Sequence, residues 1–574
     1  MTQERPVDLR TPALPPPSPV PPALLDDVET LTAAFEALAA RFPDFACLTV
    51  LDGERRERRI TLGALWRRAR TIEAALAGHG IVPGDFVILI LPTGAELLSA
   101  YVGVLLAGAV PGLVATPSHR VADASVYLAR VGAVLENARA KAVLCLPDVA
   151  AVLGETAGRV LVPADLTGDP ASGAVARPGA TELATVQYSS GSTGVPKGVL
   201  LTHGAMLNNI RAVRAGLGLL PADVSVNWIP LYHDMGLIDA FLLPLLSGCP
   251  TVLIPTMDFV REPALWLWAM HRYRGTISWA PNFAYAYCAG RVPEDRLAGL
   301  DLTSWRIAIN AAEPVLASTI RVFTTRFTAY GFRPEAVTPA WGLAENVTIA
   351  TAHPVGVLPR VETLDRRALA VDGVARITSG DGVASVAVGR CLPHCDVEVR
   401  DEAGCPLPAR RVGTVWLRSN SLFAGYRGDP EGTRRVLVGG WLDTGDRGYL
   451  AEGDLYFLAR EKDVIVVGGE KHAPHDIETV INAVPGVRAG CSVAFGVLSE
   501  ARGTEEVAAV VETRETDGLA LERLRAAIQV AVARATGLGL RFVLLVPPGG
   551  VEKTTSGKLA RAATRRRWAD RLPA

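Results

Sequence analysis

Between Phe86 and Asn310 short apolar runs recur, each bounded by turn-forming residues: "FVILIL" (86–91), "KAVLCL" (141–146), "ATVQYSS" (184–190), "VSVNWIP" (224–230), "TVLIP" (251–255), "TISWAP" (276–281) and "RIAIN" (306–310). Amphipathic, helix-like stretches lie between several of them, among them those starting at His203 and Pro263. That alternation predicts an α/β fold, with mostly parallel sheets covered by helices. Residues 97–117 carry no charge and match the length of a bilayer span, but Pro111-Gly112 interrupts them. A buried helix from about Thr93 to Ala107 followed by a short strand is the better reading. From about Val383 the pattern becomes one of short alternating strands joined by turns, as in a small β-barrel-like subdomain. A mixed α+β tail runs from about Asp463 to the end. At the other end, "TPALPPPSPVPP" within residues 1–22 predicts an extended, mobile arm without a core of its own.

Composition narrows the function. The chain of 574 residues is 49% hydrophobic and 20% charged, the balance of a globular protein with a large core. Its 58 basic and 59 acidic residues nearly cancel, so no basic field calls for nucleic acid. Six of the basic residues are lysines and 52 are arginines. A lysine retained in such a chain hints at a need for a compact point charge that the arginine fork cannot replace. Eight scattered cysteines without a secretory leader predict reduced thiols and a cytoplasmic protein. Cys391, His394, Cys395 and Cys405 form one cluster to weigh as a zinc site, but no second paired-cysteine knuckle follows, and the metal reading is not preferred.

"YSSGSTGVPKG" (188–198) packs glycines and hydroxyls before a lysine, directly after a predicted strand. It is not a P-loop, because Pro196 and Gly198 flank the lysine where Gly and Ser or Thr are required. A surface turn is the alternative, but ligands of open α/β sheets sit beyond the carboxyl ends of strands, where this stretch falls.

Six motifs then occur in order: the stretch just quoted, "NAAEP" (310–314), "WGLAE" (341–345), "DTGDRGYL" (443–450), "AREKDVIVVGGEKHAPHDIE" (459–478) and "EKTTSGKLAR" (552–561). Together they resemble the adenylate-forming, acyl-activating enzymes over almost the whole chain. "WIPLYHDMGLI" (228–238), "SWAPNFAYAYC" (278–288) and an extra segment, "GVLPRVETLDRRALAVDGVARI" (356–377), make the chain most similar to the fatty acyl-AMP ligases. The resemblance implies a large domain over 23–461, an insertion at about 354–380, and a small, mobile lid domain over 462–574 with its hinge at Lys462. It also implies ATP-dependent formation of a fatty acyl adenylate with Mg²⁺, and transfer to an acyl carrier protein in lipid, polyketide or lipopeptide biosynthesis. An acyl-CoA synthetase and a catalytically silent nucleotide-binding scaffold are the alternatives.

The roles follow from the same resemblance. Ser189, Ser190, Gly191, Ser192, Thr193, Gly194 and Lys197 would hold the phosphates, and Glu345 the metal. Asn310, Ala311, Ala312, Glu313, Trp341, Gly342, Leu343 and Ala344 would form the adenine side, with Trp341 in place of the usual tyrosine. Asp446 and Arg460 would meet the ribose, and Lys558 would bridge substrate carboxylate and α-phosphate. His233, Met235, Gly236, Trp279, Asn282 and Phe283 would form the acyl pocket, His233 as its gate and Trp279 as a bulky wall residue. Apart from the resemblance, the charge of the terminal arginines from Arg561 to Arg567 suggests that they steer an acidic carrier domain. The chemistry is consistent with this set: a carboxylate is already ionised near neutral pH and needs charge neutralisation and in-line placement rather than a general base.

Overall fold

A computed structural model describes residues 7–13, 19–20, 22–117, 124–154, 158–189, 197–499, 504–554 and 557–571. Each of the seven apolar runs becomes a strand: Phe86–Ile90, Ala142–Cys145, Leu183–Ser189, Ser225–Asn227, Thr251–Leu253, Ile277–Pro281 and Ile307–Ala311. They divide between two sheets. A seven-stranded sheet runs in the order 425–426, 197–202, 183–189, 110–113, 86–90, 142–145, 160–161. A nine-stranded sheet runs 390–391, 349–352, 337–342, 307–311, 277–281, 225–227, 251–253, 48–51, 57–60, with parallel pairing inside and antiparallel pairing at both edges.

Strand alternation sends neighbouring side chains to opposite faces and so builds layers. Val87 and Leu89 of one sheet, Ile277, Ile307 and Ile309 of the other, and Leu65, Leu98 and Leu207 from helices share the central core. Phe86, Ile88 and Ile90 point the other way, onto Val131, Val134 and Val149. Ala280 and Ala308 face a third cluster with Trp266, Tyr285 and Phe323. The uncharged run resolves into the helix Ala95–Leu106 and the strand Val110–Leu113, and among the described residues no helix is long and apolar enough to cross a membrane. Helix His203–Leu217 starts where the Thr202 hydroxyl accepts from the Ala205 amide and stops at Gly218, whose φ of 58° suits glycine.

The strand-rich region is an antiparallel sheet of five strands, in which Trp441–Ala451 pairs with Asp454–Arg460. The segment expected to be an insertion folds onto it. Its strand Val361–Leu364 pairs with Val383–Val386, and Leu364 and Ala375 pack with Tyr449 and Tyr456. Buried Glu362 accepts from Arg410 Nη2 at 2.9 Å and from the Tyr449 hydroxyl at 3.0 Å. The insertion's short helix Ala368–Asp372 also packs against the strand Glu470–His472 beyond Lys462. The C-terminal region holds a sheet of Val487–Ser499, Thr504–Thr513 and Leu540–Val546, covered by helices Pro474–Asn482 and Gly518–Thr536.

Two expectations change. The amino-terminal arm packs on the large domain over its described residues: Leu9 is buried in the cluster around Trp266. The cause is Arg272, a buried cation whose Nη1 donates to the carbonyls of Asp8 and Thr11 at 2.9 and 2.8 Å. An extended arm has unpaired carbonyls, and a buried guanidinium needs them. The arginine-rich terminus is also less free than its charge suggested, since Arg561 makes a bidentate contact with Glu478 at 2.9 and 2.6 Å and Arg567 meets Glu552 at 2.7 Å. Among the described residues no group of three or more His, Cys, Asp or Glu side chains is placed to hold an ion.

Candidate active site

The carboxyl ends of two neighbouring parallel strands deliver the first part of the site. Ile307–Ala311 carries Asn310 and Ala311, and Val337–Gly342 beside it carries Trp341 and Gly342. Gly342 is required by close approach, since a Cβ there would lie 2.2 Å from the Thr348 carbonyl oxygen. Ala312 follows with φ 70°, a strained value for a residue with a side chain, of the kind that clusters at functional sites. Trp341 Nε1 donates to Asp446 Oδ2 at 2.8 Å. Asp446 lies opposite Arg460 across the strand pair, with Arg460 Nε 3.4 Å from its Oδ1. Burial pushes the Asp446 carboxyl upward while Arg460 and Trp341 pull it back. Asp446 Oδ1 and Asn310 Oδ1 are both buried and without a hydrogen-bond partner among the described residues. Asp446 lines the cleft, where its orphaned acceptor leaves room for a hydroxyl donor of a ligand, whereas Asn310 lies behind Ala311 and off the cleft wall.

Of the stretch expected to hold phosphates, Ser190, Gly191, Ser192, Thr193 and Gly194 lie outside the described residues. The strands entering and leaving that loop pair Ser189 with Lys197. Lys197 Nζ stands 4.6 Å over the Tyr426 ring, and the Tyr426 hydroxyl donates to Glu345 Oε1 at 2.7 Å. Burial and the Glu345 charge drive the Tyr426 phenol strongly upward, so it remains a donor.

The third part comes from the far end of the chain. Gly557, at φ 89°, presses on the Phe283 ring, and Lys558 enters the cleft with Nζ 2.9 Å from His233 Nε2. An ammonium only donates, so His233 Nε2 accepts and Nδ1 carries the ring proton toward Asp234 Oδ1, 2.5 Å away. The Met235 amide also donates to Asp234 Oδ1 at 2.7 Å. Burial opposes ionisation of Asp234, but His233, Lys558 and that amide hold its carboxyl down at about 2. Burial lowers the Lys558 ammonium, and Asp234 and Glu313 act against it. Glu313, expected on the adenine side, accepts from the Phe283 amide at 2.6 Å, with burial raising its carboxyl.

All three parts face one cleft of about 3110 Å³. Its wall includes Ala311, Ala312, Glu313, Trp341, Gly342, Leu343, Ala344, Glu345, Asp446, Arg460, Lys462 and Lys558, together with His233, Met235, Asn282 and Phe283. Two expected pocket residues are not on that wall. Trp279 is 1% exposed and packs in the central core behind it. Gly236 sits against the Pro230 carbonyl oxygen, 2.0 Å from where a Cβ would stand, so it serves a close approach of the chain. Asn282 reaches the wall but spends its amide on structure, donating to Thr319 Oγ1 at 3.1 Å and accepting from Asn310 and Leu316. Sequence reasoning missed Asp234 and Tyr426. Asp234 stood next to the histidine already singled out, whereas nothing local in "FAGYRGD" (423–429) marks Tyr426 as the brace of Glu345.

Comparison with known proteins agrees with this geometry. The profile of the AMP-binding enzyme family matches residues 35–427. The long-chain-fatty-acid–AMP ligase FadD26 of Mycobacterium marinum is 32% identical over 89% of this chain and 91% of its own. A putative acyl-CoA synthetase of Caulobacter vibrioides is 33% identical over 93% and 94%. A solved chain from a study of fatty acyl-adenylate ligases from E. coli and L. pneumophila superposes with a TM-score of 0.89 at 31% identity, over 95% of this chain and 98% of that one. The chain therefore belongs to the AMP-binding, adenylate-forming enzymes and, within them, to the fatty acyl-AMP ligases.

Proposed function

We propose that this protein joins a medium- or long-chain fatty acid to AMP and then passes the acyl group to the phosphopantetheine thiol of an acyl carrier protein. A carboxylate oxygen of the acid attacks the α-phosphorus of ATP, the bond to the β-phosphate breaks, and pyrophosphate leaves. The thiol then attacks the acyl carbon and AMP departs. The observation that carries this reading is the ammonium of Lys558, brought by the C-terminal region into the same cleft as Ala311, Trp341 and Asp446. A preplaced charge in a dry cleft stabilises the charge that develops in the transition state, and a reaction of this kind gains more from that than from any other single effect.

The other roles follow. Asp446 and Arg460 take the ribose, with Oδ1 of Asp446, which no hydrogen bond occupies, as acceptor, and Ala311 and Ala312 with Asn310 behind them form the adenine side. Trp341 lies along the base. The loop of Ser190 to Gly194 and Lys197 holds the departing phosphates. Glu345 would hold Mg²⁺, which when bound neutralises phosphate charge. A magnesium ion takes one or two protein carboxylates beside phosphate oxygens, and a single carboxylate steadied by Tyr426 fits that donor set. The division into arm, large domain and lid with its hinge at Lys462 belongs to the same reading. Eight free thiols fit a reducing, cytoplasmic setting.

A panel of fatty acids tested for pyrophosphate release, followed by incubation with either coenzyme A or a holo carrier protein, tests both halves. Release that depends on the acid, and acyl transfer to the carrier protein, are expected. Rapid acyl-CoA formation would favour the second reading, an acyl-CoA synthetase, which the Caulobacter relative's name supports. ATP binding without release across the panel would leave a silent scaffold.

A further inference from the structure

Directly after Asp234 the chain winds as a π-helix, Met235–Leu242, with all eight residues buried. Its i→i+5 hydrogen bonds bring positions five apart nearly over one another, and such turns occur often at functional sites. Asp239 thus follows Asp234 along one face, among Leu237, Ile238 and Phe241, and is 1% exposed.

The hydrogen bonds around Asp239 fix its protonation. Thr348 Oγ1 lies 3.0 Å from Asp239 Oδ1 and 2.7 Å from Asn209 Oδ1. The Asn209 amide is oriented by its Nδ2, which donates to the Ile349 carbonyl at 3.1 Å, so the oxygen facing Thr348 only accepts. A hydroxyl has a single proton, and the shorter contact, to an oxygen that can only accept, assigns it to Asn209. Asp239 must then bring its own proton to the Thr348 oxygen, as a neutral acid. Burial first, and Asp234 second, push the Asp239 carboxyl well above its usual range, in agreement.

The second oxygen, Oδ2, is buried and has no partner among the described residues, and both Asp239 and Thr348 border the cleft. Thr348 is held there at a cost. Val347 has φ 67° and ψ −66°, and the Thr348 amide donates to the Asn346 carbonyl at 2.7 Å. That is the strained, positive-φ form of the γ-turn, and it falls on a β-branched residue. Strain of this sort persists where the surroundings over-determine it, commonly at ligand sites.

We propose that Asp239 is a specificity-determining residue: its unpaired oxygen accepts a hydrogen bond from a hydroxyl group on the acyl chain, which makes hydroxylated fatty acids the preferred substrates. This rests on the adenylation reading above. An unsubstituted chain would leave that buried oxygen without the donor a hydroxyl supplies, and a keto group would set a second acceptor against it. An ammonium would draw the acid into its ionised form, so that Thr348 had to serve two acceptors with one proton. Asp239 lies one helical turn beyond the His233–Asp234–Lys558 group, which places the hydroxyl within a few carbons of the carboxylate.

The test compares pyrophosphate release from unsubstituted fatty acids with release from the same acids hydroxylated near the carboxyl end or near the far end. The expected result is a kcat/KM about 10-fold or more higher for the acids hydroxylated near the carboxyl end. Asp239→Leu should abolish the preference. Asp239→Asn should keep it, because an amide can donate to Thr348 and still offer its carbonyl to the ligand. Equal turnover of both acids by the unaltered enzyme overturns the proposal without using a variant. Equal losses on both acids in Asp239→Leu also overturn it and leave Asp239 a brace for the 342–348 segment. Absence of release from every acid would remove the adenylation reading and this proposal together, whereas turnover without preference removes this proposal alone.

Discussion

Lys558 Nζ stands 2.9 Å from His233 Nε2, and the other ring nitrogen of His233 stands 2.5 Å from Asp234. A cation delivered from the end of the chain is thereby aligned by an imidazole whose tautomer a neighbouring carboxylate sets. The alignment is chemical as well as geometric, because Asp234 also offsets part of the burial that disfavours the ammonium. Removing Lys558 should therefore cost catalysis more than folding. Lys558→Ala is expected to lower the rate of pyrophosphate release by about 100-fold or more, with a smaller effect on the apparent affinity for ATP. Lys558→Arg should not restore it, since a planar fork does not fit where a compact ammonium meets one ring nitrogen. Steady-state kinetics on both variants check this.

The buried ammonium also predicts a pH dependence. Lys558 ionises in the folded chain below its ordinary 10.5. Adenylation should then fall as pH rises through that lowered value, before free lysines lose their charge. For stability the sign is the opposite. Between the folded and unfolded pKa values the unfolded chain holds a proton that the folded chain has shed, so Lys558 makes stability rise with pH across that window. Lys558→Met should lack this increment. Denaturant midpoints of both proteins, measured as pH approaches 10.5, would show the difference between them shrink or reverse.

Trp341 joins two parts of the proposed nucleotide site, since the same side chain faces the cleft and donates to Asp446 at 2.8 Å. Trp341→Phe keeps an aromatic face and loses the donor. A hydrogen bond to a charged group contributes about 1.5–3 kcal/mol, so the KM for ATP should rise roughly 10-fold or more while kcat changes less. A fall in kcat comparable to the rise in KM would point to disruption of the acid's position as well.

How much of this was legible in the sequence differs by part. The strands were readable because each is a short apolar run buried on both faces, and runs such as "FVILIL" have little alternative. That Lys558, Asp446 and Glu345 would share one cleft was readable because each sits in a long motif that holds its place in order. Trp279 was misplaced because alternation along its strand assigns a face without saying whether that face meets a cavity or a packed core. The arm was misjudged because composition cannot reveal a partner, and Arg272 lies far along the chain. The π-helix was invisible for a related reason: Met235–Leu242 is apolar almost throughout, so no periodicity distinguishes one helical winding from another.

Tyr426 shows most clearly what only the fold could disclose, and it yields the last prediction. It belongs to the short strand Gly425–Tyr426, which pairs with Lys197–Thr202, the strand leaving the phosphate loop. That pairing sets the phenol between Lys197 Nζ, 4.6 Å above its ring, and Glu345, whose Oε1 it meets at 2.7 Å. The tyrosine separates the cation from the carboxylate and keeps Glu345 from closing onto Lys197, an ion pair that would leave less of either charge for phosphates and metal. Tyr426→Phe keeps the ring under Lys197 and removes only the hydroxyl. Freed from its donor, Glu345 should bind metal less selectively in position, so the Mg²⁺ concentration needed for half-maximal pyrophosphate release should rise several-fold, with little change in the KM for the fatty acid. Glu345→Gln should raise that requirement further, and the double variant should add little beyond it, because the tyrosine hydroxyl acts through the carboxylate. Magnesium titrations of the three variants decide the matter: fully additive effects would mean that Tyr426 touches the nucleotide on its own account.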